Sequence, residues 1–172
     1  SVIPGREAHR LDPQAIDKLV HYYQPKRIMV EKPKKWTRRY EFPDKVFTHS
    51  HTWALEVPTG LEAAKDYICD TTNSMFYSIM MANLLKEQYA VETGTEYDLV
   101  IRNRIDYSPH VVLKLDEVLV DNDTLIYQDL YQPDGMISDW FGMGSTNTMT
   151  VCCGVYNHIG QLIRQSNEID GY

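Results

Sequence analysis

Two stretches of the chain combine residue types that can grip an anion or a hydroxyl-bearing ligand. The first, Arg102-Asn103-Arg104-Ile105-Asp106, follows the apolar run YDLVI (97–101). In extended backbone Arg102, Arg104 and Asp106 share one face at intervals of about 6.7 Å. Guanidinium forks match phosphate oxygens in pairs, and a carboxylate can hold a divalent cation or a sugar hydroxyl. The same residues equally fit an Arg–Asp ion pair that closes a strand. The second stretch is Asp139-Trp140-Phe141-Gly142-Met143-Gly144-Ser145. Its glycines let backbone approach a ligand, and the helix that follows offers unpaired N–H groups to an anion. Asp139 suits a base or a grip on hydroxyls. The plainer reading makes Ser145 an N-cap and the glycines a turn.

Other clusters carry less. His49 and His51, two apart, would face one side of a strand and could chelate a metal, but no third ligand lies nearby in sequence. The basic run Lys32–Arg39 around Trp36 could touch nucleic acid, or be a solvated loop. Met75–Met81 reads as core packing. Cys152 and Cys153 fall within a helix without an adjacent base, which argues against a nucleophile.

The elements that must position these residues follow from periodicity and punctuation. Asp12-Pro13 starts a helix, Ile16, Leu19, Val20 and Tyr23 form its apolar face, and Pro25 stops it. Residues 26–31 (KRIMVE) predict a short strand, 32–45 a loop with two prolines and six basic residues, and 46–51 a second strand. Residues 61–67 suit a helix. Ser74–Tyr89 predicts the strongest one, apolar around more than one face and ended by Gly94. The run 97–102 predicts a central strand buried on both faces, with Asp98 needing a partner there. Val111–Val120 and Thr124–Gln128 are shorter candidates around a turn at 121–123, a loop spans 129–145, and a last helix runs over Thr146–Gln165. Helices alternating with apolar strands predict an α/β layered, mostly parallel sheet, with ligands beyond the carboxyl ends of the strands.

With 172 residues the chain has room for one domain, 1–172, burying about two thirds of its unfolded surface. The hydrophobic share of 43% and charged share of 24% are those of a globular protein. A net charge of −7 disfavours general nucleic-acid or anionic-membrane binding. No run approaches the roughly 18 apolar residues of a membrane span. Three cysteines without metal or disulfide spacing suit a reducing, cytoplasmic setting.

The stretch 74–106, SMFYSIMMANLLKEQYAVETGTEYDLVIRNRID, resembles the core of a family of bacterial and viral glycosyltransferase-like proteins. There a helix "SM-Y-I-KAN-LK--YE" precedes a strand "YD-VIR-R-D". Residues 139–149 are similar to its "D-F--GS---M" segment, and 11–33 to its "D---I--L---Y-P-KI-IE" helix and strand. The resemblance covers well over half of the chain, in order. It implies a GT-A-like (Rossmann-like) domain, with a mostly parallel sheet flanked by helices. The implied activity is transfer of a sugar from a nucleotide-diphosphate donor to a hydroxyl acceptor in surface polysaccharide or glycan synthesis. Arg102, Arg104 and Asp106 fall where such enzymes keep an Asp-x-Asp site for Mn2+ or Mg2+, with Arg104 in the first acidic position. On this reading Arg102 and Arg104 hold the diphosphate, Asp106 the metal or donor sugar, and Asp139 acts on acceptor or donor hydroxyls. Gly144 and Ser145 fall in the same acceptor-side loop as Asp139 and join the donor-binding set. Members usually begin with a further strand and glycine-containing loop for the nucleotide base, not matched here, so the chain reads as a possible fragment. The rival expectation is a non-catalytic carbohydrate- or nucleotide-binding module.

Overall fold

A computed structural model describes residues 13–32, 34–36, 40, 61–104, 114–118, 121–127 and 140–169. Helix α1 spans Pro13–Tyr23, as the Pro13 start and Pro25 stop require. Gln24 closes it in the left-handed region (φ 43°), its N–H donating to the Val20 carbonyl at 3.0 Å. Residues 27–32 then run without turn or bend and belong to no strand, so the expected strand at 26–31 has no partner among the described residues. The expected strand at 46–51, with His49 and His51, lies outside the described residues.

The helices expected at 61–67 and 74–89 are one helix, α2, Leu61–Thr93, of 33 residues and about 50 Å. The polar stretch Asp70–Ser74 does not interrupt it. Its side chains turn back on their own helix: Thr71 Oγ1 donates to the Tyr67 carbonyl (2.9 Å) and Asn73 Nδ2 to the Cys69 carbonyl (2.8 Å). Gly94, at φ 66°, ends α2, and the Thr95 N–H caps the Ala90 carbonyl at 3.0 Å.

The sheet corrects the expected architecture. Strands β1 (Val100–Asn103), β2 (Leu125–Tyr127) and β3 (Phe141–Gly144) lie in the order β1-β3-β2, and both pairings are antiparallel. The described part of the chain is mostly helical, so the GT-A-like, mostly parallel sheet is overturned. The run 97–101 ends in an edge strand rather than a central one. Val100 is half-buried and Ile101 exposed, and Asp98 lies exposed before the strand, free of the expected burial cost. An apolar run reports burial on some side, not the number of neighbours. The central strand is β3, inside the expected loop, and all four of its residues are buried. Its glycines had read as a turn because they carry no apolar signal.

The last helix breaks in two. Helix α3 (Thr146–Cys153) is capped by Ser145, a tight turn covers Gly154–Asn157, and α4 (Ile159–Ile169) follows. Helix α2 packs on α3 and on that turn, and α3 on β3. Tyr40, Cys69 and Ile159 form one buried cluster; Phe141, Met143, Met149 and Cys153 are buried around the sheet and α3. Among the described residues no helix is long and apolar enough to cross a membrane.

Candidate functional site

The antiparallel register sets the two candidate stretches side by side. Asn103 lies opposite Phe141, Arg102 opposite Gly142, and the Arg104 N–H donates to the Trp140 carbonyl at 2.9 Å. The Arg104 guanidinium sits 5.7 Å from the centroid of the Trp140 ring. On the far side of β3, Gly142 is opposite Tyr127. Directly opposed residues project from the same face, so Arg102, Gly142 and Tyr127 form one row across the sheet. Glycine leaves the middle of that row without a side chain, between a cation and a phenol.

This row lines a cavity of about 310 Å3 whose other walls include Phe76 and Ile79 of α2 and Met149, Cys152 and Cys153 of α3. Its lining is largely apolar with few polar groups, the usual make-up of a small-ligand pocket. Burial pushes the Cys152 and Cys153 thiols up from their ordinary range, and the nearby Arg102 charge opposes that only in part. Burial thus disfavours the thiolate form of both.

The two glycines of β3 differ. A Cβ on Gly144 would stand 3.0 Å from the Thr124 carbonyl oxygen and 3.2 Å from Thr148 Cγ2, so packing against α3 requires glycine there. A Cβ on Gly142 would meet nothing closer than the Ile126 oxygen at 3.9 Å. Packing therefore does not require glycine at 142. Ser145 is buried, and its Oγ accepts the Thr148 N–H at 3.2 Å as the N-cap of α3.

Asp106 and Asp139 lie outside the described residues, two positions after Arg104 and one before Trp140 in sequence. Among the described residues no group of three or more His, Cys, Asp or Glu side chains could hold a metal ion. In the basic run, Lys34 is engaged within the chain: its ammonium donates to Glu31 and to the Tyr77 hydroxyl, and lies 4.0 Å from that ring's centroid. Trp36 is tied to α2 through its N–H on Asp70 Oδ1 (2.9 Å), and packs on Tyr77 and Tyr156. Tyr127 went unnoticed in the sequence as a site residue; only the register of β2 on β3 reveals it. The fold makes Cys152 and Cys153 cavity walls, which their place in a helix does not reveal in sequence. No family model matches the chain, and neither a curated protein nor a solved structure is significantly similar to it.

Proposed function

We propose that this chain is a glycosyltransferase domain moving a sugar from a nucleotide-diphosphate donor to a hydroxyl acceptor. The observation that carries this reading is the row Arg102–Gly142–Tyr127, which opens the two resembling segments onto one cavity. The reading rests on those segments and their pairing, and not on the shape of the sheet. In the reaction the bond from the anomeric carbon to the diphosphate breaks, and the acceptor oxygen bonds to that carbon. The departing diphosphate gains negative charge, which Arg102 and Arg104 stabilise by fixed guanidinium donors. Asp139 takes the proton of the acceptor hydroxyl or positions it, and Asp106 grips donor hydroxyls or a divalent cation.

Calorimetry with a panel of nucleoside diphosphates, with and without Mn2+, paired with a donor-hydrolysis assay, tests the reading. The expected result is binding that falls at least tenfold in Arg102→Met, together with slow donor hydrolysis. Absence of nucleoside-diphosphate binding under every condition rejects it. Binding without hydrolysis or transfer identifies a non-catalytic module instead.

A further inference from the structure

Four sulfur-bearing side chains wall one cavity, and the sugar-transfer reading uses none of them. Met149, Cys152 and Cys153 stand at i, i+3 and i+4 of α3, so they share one face of that helix. Met75 of α2 lines the same cavity of about 310 Å3. Met149 and Cys153 are buried, at 1% and 4% exposure, whereas Met75 and Cys152 are half-buried and leave a way in. Among the described residues neither Cys152 nor Cys153 makes a hydrogen bond. Cys69 differs, since its Sγ accepts from Asn73 Nδ2 at 3.3 Å. Thiols and thioethers pack like small hydrophobes, but they also share one coordination chemistry.

That chemistry is selective. Thiolate and thioether sulfurs are soft donors, and soft donors favour Cu(I). The described walls of the cavity carry no carboxylate and no imidazole, the donors that hard and borderline divalent ions take. Charge points the same way. The Arg102 guanidinium lines the cavity, and its charge acts on both thiols. Two thiolates around Cu(I) leave one negative charge, which Arg102 balances. A divalent ion between the same thiolates would leave the buried group with a net positive charge, which is costly away from water. We propose that Cys152 and Cys153, with Met149 and Met75, form a site for a single Cu(I) ion. On loading, each thiol releases its proton to solvent as its sulfur bonds the ion. No electron moves, because the ion enters and stays as Cu(I). The site stands whether or not the cavity also takes a nucleotide donor.

The test titrates the full, reduced chain anaerobically against Cu(I) held by bicinchoninate, whose colour fades as the protein takes the ion. A single equivalent is expected to transfer, and X-ray absorption at the copper edge should show sulfur alone around the metal. Cys152→Ser and Cys153→Ser are each expected to weaken binding about a hundredfold. Met149→Leu nearly conserves volume, so it should keep the core while weakening binding about tenfold. Circular dichroism of the copper-free variants shows whether each is folded, and X-ray absorption on the unaltered chain decides the matter if a cysteine variant is not. Failure of the chain to draw copper from the chelator overturns the inference. So does nitrogen or oxygen around the metal, or copper affinity unchanged in both cysteine variants, which would place the ion elsewhere. Zn2+ held as tightly as copper overturns it equally. Nucleoside-diphosphate calorimetry on the copper-free chain is read separately, so absent copper binding with donor binding intact rejects this site alone.

Discussion

Arg102 and Gly142 act as a pair only because the register places them opposite each other. The two glycines of β3 differ in what packing demands of them. Gly144→Ala is expected to cost about 1–3 kcal/mol, because its Cβ would press on the Thr124 backbone and Thr148. Gly142→Ala should leave the melting temperature unchanged or raise stability by up to about 1 kcal/mol, while filling the lane beside Arg102 and weakening nucleoside-diphosphate binding. Thermal melts and calorimetry on the two variants decide this, and equal destabilisation would remove the distinction. Asp106→Asn keeps size and shape. It should leave the melting temperature nearly unchanged and abolish donor or metal binding, whereas an ion-pair partner of Arg104 would show a lower melt with binding intact. Donor affinity surviving in that variant, with and without divalent metal, removes Asp106 from the site.

At the level of elements, short helices depend on their ends. Helix α3 has eight residues, and Ser145 Oγ satisfies an N–H that its first turn leaves open. Ser145→Ala is expected to cost about 1 kcal/mol, with Ser145→Asp retaining most of the stability by urea titration. Loss of nucleoside-diphosphate binding out of proportion to that cost would give the hydroxyl a role in the donor site as well as in the cap. The length of α2 has a similar local cause. Thr71 and Asn73 carry their polar groups back to carbonyls one turn earlier, so a stretch that punctuates a sequence does not punctuate the helix.

For the whole molecule, the buried Tyr40 phenol couples folding to alkaline pH. Burial, with Cys69 beside it, pushes its ionisation well above the usual tyrosine value of 10.0. In the unfolded chain the same phenol ionises near that value. Stability is therefore fully present below about pH 10 and declines as pH rises above it, toward the folded-state value. Tyr40→Phe should flatten that decline. Melting curves between pH 8 and 11 check this, and parallel declines in the two proteins would assign the loss to other groups. A second property belongs to the molecule as a whole: the α1 layer and residues 27–32 leave Val20, Tyr23, Ile28 and Val30 exposed. The apolar periodicity of α1 thus marks a face with little of the described chain packed on it.

Several features were legible from residue order alone because their causes are local. Pro13 and Pro25 bound α1 through missing N–H groups and fixed φ, Gly94 ends α2 through its left-handed backbone, and Ser145 caps α3. Arg102–Asp106 and Asp139–Ser145 likewise stand out by residue type alone. What only the tertiary structure decided is partnership. A strand's hydrogen-bond donors and acceptors are the same whatever lies beside it, so composition could not tell edge from centre or parallel from antiparallel. For the same reason Phe141-Gly142-Met143-Gly144 read as a loop, although it is the strand that pairs on both sides. Tyr127 joined Arg102 through β3, a neighbour neither residue touches in sequence.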